Sequence, residues 1–444
     1  MAGQAAAGLW TTTGEAVAAR WLDAEDATTR QGLAWAMEHD PPVALHLANA
    51  LGWWWFLRGR LAGQYRLLCQ AAGRAEAGSD GWCTAQLWLG LTAQYSADLA
   101  AALGHFTAAR DAAAMTAQVP PDLSLASALA GRAGILRLMG QAGEAASEAR
   151  RALAAARQIG DPVGEVHALV ELSGDAYYAG DHDEAVRLAR QAGQITAGIP
   201  GMLARICSFV LTMVLTNAGN LAEAGRVGAA CLARARDAGD LFNQAVLLPR
   251  IADLDLRAGR TGDAAAHLRE GLHLAVRAGN WLDLQPALSQ CGELCAATGR
   301  AAEALTLWAA CAAANQREEP TDLPWYVTRR EDQLRQAWLA LGPGRARAAE
   351  DRGAAMSLAT AAEYALMLTD PAPPQPAAPG PGALSARERE LVTLVAQGRT
   401  NAQIAAELYI SVRTVASHLD RIRDKTGCRR RADLTRLALS EGLA

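Results

Sequence analysis

The chain has 444 residues, 51% of them hydrophobic, which is ample for more than one buried core and excludes global disorder. Val and Ile number only 26 together while Ala and Leu abound, so a helical architecture is expected rather than a β-rich one. The net charge of −4 is uneven: residues 384–444 hold 11 basic and 7 acidic side chains, a net of +4 against −8 for the remainder, which points to local nucleic-acid binding and not to a polyanion-binding surface over the whole molecule.

The N-terminus, MAGQAAAGLW, has no positive leader before an apolar stretch, so no secretory signal is expected. The uncharged, largely apolar run Val43 to Leu57 is too short to span a bilayer comfortably. Eight scattered cysteines suit a reducing compartment, where they pack as small apolar residues. A soluble, cytoplasmic protein without membrane contact is therefore expected.

In residues 1–41 the segment WLDAEDATTRQGLAWAME predicts one amphipathic helix able to cap a helical array. From residue 42 to 369 a repeat dominates. Turn-like glycines recur at Gly140, Gly180, Gly219, Gly259 and Gly299, a period of about forty residues. Four residues on stand Glu144, Glu184, Glu223, Asp263 and Glu303, each followed by alanine. Seven beyond those alanines lie Ala152, Ala192, Cys231, Gly271 and Cys311, and seven before each glycine lie Ala133, Ser173, Thr212, Ala252 and Gly292. Small residues seven apart share one helix face and admit a close neighbour. The glycine suits a left-handed cap, and the acid suits the positive end of the next helix. Second breaks at Gly160, Gly239 and Gly279 separate successive hairpins.

This pattern resembles the tetratricopeptide repeat with longer helices, and predicts about eight hairpins. Weaker copies fall at Gly52, Gly59 and Ala71, and at Gly90, Ala97, Ala102 and Ala109; a degenerate last unit turns at Gly342. The aromatic group Trp35, Trp53, Trp54, Trp55, Phe56, Trp82 and Trp88 is expected as core, with an aromatic-lined groove as the alternative. Cys291, Cys295 and Cys311 fit packing better than a metal or redox site, and no nucleophile, base and orienter set stands out, so an enzyme is not expected and no metal or cofactor is called for.

The stretch TDPAPPQPAAPGPGA ends the array; residues 370–383 are taken as a Pro-rich linker able to reach about 45 Å as extended polyproline with Thr369. Residues 384–444 then predict four helices. Ser385 with Glu388, and Thr400 with Gln403, are capping boxes, and Ser411 caps a third helix over residues 412–425. On that helix Val415, Leu419 and Ile422 share a face that must be buried. The opposite side offers Arg413, Ala416, Ser417 and Asp420 as candidates for base contact in the major groove. Asp420 either accepts from a cytosine amine or orients Arg413. Thr400, Asn401, Thr414, Arg421, Arg423, Lys425, Arg429 and Arg430 are the candidates for phosphate contact.

The strings LSARERE, GRTNAQIAAEL and ISVRTVASHLDRIRDK, in this order, resemble the LuxR-type regulator domain. The resemblance implies a homodimer on double-stranded DNA joined through the last helix, here by Leu434 and Leu437. Many members carry a basic residue where this chain has Ala416, so base preference does not transfer. Repeats followed by such a domain also resemble the C-terminal half of the large ATP-binding LuxR regulators, but the single lysine, Lys425, follows Asp424, and no Gly-Lys-Ser/Thr phosphate loop is present. The expected architecture is an all-α solenoid of tetratricopeptide-like hairpins joined by the linker to a four-helix helix-turn-helix domain. The expected function is a sequence-specific transcriptional regulator whose repeats sense a small molecule or protein; the alternative is an interaction scaffold whose basic domain is not a specific DNA reader.

Overall fold

The computed structural model describes residues 14–115, 125–197, 201–315, 324–369, 384–408, 410–428, 430–440 and 443. Every regular element among them is an α-helix. Residues 370–383, where the linker is expected, lie outside the described residues.

Two helices, α1 (Glu15–Ala24) and α2 (Asp26–His39), precede the array, where the sequence predicted one. The chain breaks at Glu25 because the two pieces serve different neighbours. Helix α2 packs on the first hairpin, whereas α1 reaches residues 221–238, far along the chain. Seven hairpins come next: α3 (Pro41–Leu57) with α4 (Leu61–Ala72), α5 (Asp80–Tyr95) with α6 (Leu99–Met115), α7 (Leu125–Leu138) with α8 (Ala142–Ile159), α9 (Pro162–Tyr178) with α10 (His182–Ile195), α11 (Met202–Asn217) with α12 (Leu221–Ala238), α13 (Leu241–Arg257) with α14 (Thr261–Ala278), and α15 (Trp281–Ala297) with α16 (Ala301–Asn315). Helices α17 (Pro324–Leu341) and α18 (Pro343–Ala354) turn at Gly342, and α19 (Leu358–Thr369) lies across α14, α15 and α16. Its C-terminal carbonyls are capped by two arginines: Arg300 donates to Leu368 O and Arg269 to Thr369 O.

The periodic residues act as their pattern demands. The five turn glycines have φ of 73–81°, and Gly160, Gly239 and Gly279 end their helices in the left-handed region. Aspartates cap the helices after several of these turns: Asp161, Asp181 and Asp240 accept from backbone N–H groups two or three residues on. The alanines at 145, 185, 224, 264 and 304 are wholly buried, as are Ala133, Ser173, Thr212 and Ala252. A larger side chain at these contacts would push helices apart, an overpacking cost of about 1–3 kcal/mol each. Cys291, Cys295 and Cys311 belong to the same packing; burial pushes the Cys291 thiol well up and that of Cys295 to about 12, which suits inert core residues.

The first helix of each hairpin faces inward, and the winding closes on itself. Helix α3 touches α13, α5 touches α15, and α1 touches α12. Phe242 packs between Phe56 and Tyr95, with ring centroids 4.4 and 4.7 Å away. Arg58 donates to the carbonyls of Ala238 and Gly239 while pairing with Asp23 at 2.7 Å. Gly59 sits so close to Ala278 that an added Cβ would lie 2.8 Å from its methyl. At the centre of the closure Arg205, 4% exposed, is held by Glu15 at 2.6 and 2.8 Å and by Asp240 at 2.6 Å.

Four further helices, α20 (Ala386–Ala396), α21 (Asn401–Glu407), α22 (Val412–Thr426) and α23 (Arg431–Ser440), enclose a separate core centred on Leu391, Val395, Ile404, Val415, Leu419 and Ile422. No described helix is long and apolar enough to cross a membrane.

Replacing Arg205 by Met strands two buried carboxylates, and the loss expected for breaking a buried charge cluster is about 3–5 kcal/mol. A urea titration followed by circular dichroism should show a lower midpoint for Arg205→Met; an unchanged midpoint means the closure does not depend on this triad.

Candidate nucleic-acid interface

The capping residues set the geometry of the helix-turn-helix. Ser385 Oγ accepts from Glu388 N–H at 3.2 Å and the Glu388 carboxylate accepts from Ser385 N–H at 2.8 Å. Thr400 and Gln403 make the same reciprocal pair. Ser411 accepts from Thr414 N–H at 3.0 Å and opens α22, which Gly427 closes in the left-handed region. Glu388 has a second role. Burial alone would raise its carboxyl, but hydrogen bonds from Lys425 at 2.7 and 2.9 Å and from Ser385 outweigh that and hold it below the ordinary range. This carboxylate therefore fastens the end of α22 to the start of α20.

Helix α22 buries Val415, Leu419 and Ile422 and turns Arg413, Asp420 and Asp424 to solvent, with Ala416 and Ser417 half-buried beside them. Arg413 is exposed and has no ion-pair partner among the described residues. Asp420 does not orient Arg413; it pairs with Arg423 at 2.7 Å, three residues on along the same face.

The candidates for phosphate contact are scattered in state. Thr400 is exposed at the start of α21. Asn401 Oδ1 accepts from Arg431 at 2.8 Å, and Arg431 also donates to the Arg399 carbonyl, an arginine whose joining role between turn and last helix the sequence did not disclose. Lys425 is engaged by Glu388, and Arg430 is exposed. Arg429 lies outside the described residues. Leu434 is wholly buried in the domain core, between helices, so it cannot supply a dimer surface; Leu437 is half-buried.

One side of α22 meets the repeat array. Thr414, 4% exposed, donates to Glu363 of α19 at 3.1 Å. His418 Nε2 lies 2.8 Å from Met367 Sδ on the same helix. Arg421 pairs with Glu303 of α16 at 3.2 Å. Burial, helped by Arg421, depresses His418 to about 4, so its imidazole is neutral in this contact at ordinary pH. Glu303 was visible in the sequence only as a first-turn acid of a repeat helix, and nothing there marked Glu363 or Met367.

These features define a helix-turn-helix DNA-binding module carried on a helical-repeat array. Residues 382–438 match the bacterial regulatory proteins of the luxR family, and the C-terminal domain is of that type. Its relatives include the response regulator Rre1 of Synechocystis sp., 46% identical over 57 residues, 13% of this chain and 25% of that protein. They also include the probable transcriptional regulatory protein NarL of Mycobacterium tuberculosis, 42% identical over 69 residues, 16% of this chain and 32% of that protein. The chain thus spans about a quarter to a third of the length of these curated relatives. Among solved structures the chain is similar to a Rap protein complexed with competence and sporulation factor, at 12% identity and a TM-score of 0.47 over 73% of this chain and 98% of that one. It is also similar to a signal transduction ATPase (STAND) protein with a tetratricopeptide repeat sensor from Pyrococcus horikoshii, at 13% identity and a TM-score of 0.42 over 74% of this chain and 54% of that one.

The stability Glu388 contributes is full above its unfolded pKa of about 4.3 and is lost as pH falls through its lower folded value. Lys425→Met removes the main cause of that lowering. The acid-unfolding midpoint of residues 384–444, followed by circular dichroism, should therefore move to higher pH. An unmoved midpoint means the ion pair does not brace the domain.

Proposed function

We propose that this protein is a sequence-specific DNA-binding transcriptional regulator whose repeat array holds its recognition helix in a partly masked state. The observation that carries this reading is the state of α22 on its LuxR-type frame. Its N-terminal, outward side, with Arg413 free, is available to base edges, as recognition helices generally present it. Ala416, Ser417 and Asp420 complete that side. Thr400 and Asn401 offer uncharged hydrogen-bonding groups to phosphates, and Arg423, Lys425 and Arg430 offer positive charge, the first two by exchanging Asp420 and Glu388 for phosphate.

The flank of the same helix is occupied. Glu363 and Glu303 place carboxylates on Thr414 and Arg421, where phosphate oxygens would otherwise sit. A groove wall and helix α19 cannot share that flank, so full engagement requires the domain to leave the array. A signal that loosens α16 or α19 then favours DNA binding, which makes the repeats the sensing arm. Two copies would read inverted half-sites about one helical turn apart. With Leu434 enclosed, the dimer contact would use Leu437 and its surface neighbours.

Fluorescence anisotropy with an operator obtained by binding-site selection, over a salt series, tests the reading; no salt-dependent binding by either the full chain or residues 384–444 would overturn it. Arg413→Ala should reduce discrimination at one base pair by about 1–3 kcal/mol. Glu303→Gln combined with Glu363→Gln should tighten operator binding by the full chain about three- to tenfold, since these partly exposed contacts are each worth little. The same pair cannot affect residues 384–444 alone. Equal affinity of the full chain before and after the double change would show that the array does not restrain the helix.

A further inference from the structure

Closure of the superhelix leaves a partly open cavity of about 390 Å³, walled by the inward helices from α3 to α15. That is within the range of sites for small organic molecules and far too small for a folded partner or a duplex. Aromatic side chains form one part of the wall: Trp53 and Trp88 meet edge to face at 5.1 Å, and Phe56, Tyr95 and Phe242 form the joint where the ring closes.

Three polar side chains in this lining keep unused hydrogen-bonding or charge capacity, although the Asn243 amide already donates to Asp240. Arg250 projects from α13, half-buried, and no carboxylate among the described residues pairs with it. Asn243 and Gln290 are at least nine-tenths buried, and each carries an amide oxygen that accepts no hydrogen bond. The other cation in the lining is already satisfied: Arg137 is paired with Glu171 at 2.6 Å and Asp175 at 3.2 Å and stacks on Tyr178. A buried acceptor without a donor costs about 1–3 kcal/mol, and a guanidinium among aromatic walls favours an anion. Arg250 thus lacks a counter-ion of its own, and the amide oxygens of Asn243 and Gln290 lack hydrogen-bond donors.

We propose that the cavity binds a small ring-containing organic acid bearing a hydroxyl or N–H group, with its anion on Arg250, its rings among the aromatic walls and its donor on Gln290 or Asn243. Its role as effector rests on the reading of the repeats as the sensing arm. The wall helix α15, which carries Gln290, packs directly against α16 and α19, the two helices that hold α22. A ligand that shifts α15 therefore acts one helix away from Glu303 and Glu363.

The test uses the full chain and two matched probes, the anionic 1-anilinonaphthalene-8-sulfonate and its uncharged counterpart N-phenyl-1-naphthylamine. The expected result is saturable binding of one sulfonate probe per chain, with emission sensitised by tryptophan. Arg250→Gln should weaken that probe about tenfold or more, the scale of one charge-assisted hydrogen bond, and the neutral probe far less. Arg250→Lys should restore part of the difference, and Leu91→Trp, which fills the cavity, should weaken both probes. Circular dichroism checks that each variant remains folded. Binding at several sites without saturation, or binding indifferent to Leu91→Trp, overturns the site. Equal loss of both probes in Arg250→Gln, or loss of neither, overturns the acid. Operator affinity is measured on the same samples. Probe binding in the cavity that leaves it unchanged refutes the sensing arm and not the site. Absent probe binding with an intact effect of Glu303→Gln and Glu363→Gln refutes the site and not the masking.

Discussion

The architecture depends on one meeting of distant helices: α1 and α3 against α12 and α13. A stack of hairpins held only by nearest neighbours would be an open superhelix with a solvent-filled groove. Here Arg205 joins Glu15, 190 residues earlier, to Asp240, 35 residues later, and Phe242 inserts between Phe56 and Tyr95. A buried charge cluster of this kind is a poor source of net stability, because desolvation offsets the attraction. Its effect is on specificity of arrangement. With Glu15 and Asp240 both enclosed, any other winding would leave at least one carboxylate without its cation. The groove narrows to a partly open cavity as a result, and side chains that would be solvated on an open face, such as Asn243 and Gln290, are buried with their amide oxygens unpaired.

Local order was legible in the sequence because it is written in local chemistry. Glycine at a left-handed turn, an acid in the next first turn and small residues seven apart each stem from the geometry of one hairpin, and Ala145, Ala185, Ala224, Ala264 and Ala304 are buried accordingly. The same holds for Ser385, Thr400 and Ser411, whose caps define the helix-turn-helix, and for the buried face of α22. The features that stayed hidden depend on partners remote in sequence. The break at Glu25 results from the reach of Glu15 to Arg205, which no window of neighbouring residues contains. Likewise Arg423 and Lys425 look alike as cations in a basic run, yet one is committed to Asp420 and the other to Glu388. Helical periodicity also placed Leu434 on an apolar face correctly but could not say whether that face looks inward or to a second copy; packing against α20 decides it.

The contact between α22 and the array is small. Among the described residues its polar part is one hydroxyl on a carboxylate, one imidazole against a thioether and one partly exposed ion pair. Interactions of this kind sum to a few kcal/mol at most. That weakness matters less than it would between separate molecules, because residues 370–383 join the two parts covalently. A short tether gives an effective concentration on the order of millimolar, so a contact with an intrinsic dissociation constant near 0.1 mM would hold about nine domains in ten.

Such a balance sets what a signal must supply. Moving a population from nine-tenths docked to nine-tenths free takes a differential affinity of roughly 80-fold, or about 2.6 kcal/mol, and a ligand binding both states equally shifts nothing. If the proposed ligand satisfied one buried amide oxygen and one guanidinium in the free state of α22 and not in the docked one, the difference would be of that order. On the proposed reading, the cavity and the docked helix are neighbours through α15, and the energies asked of each are of the same order. For a regulator of the proposed kind, a tighter clasp on α22 would exceed what a small ligand can reverse, and a looser one would leave DNA binding unregulated.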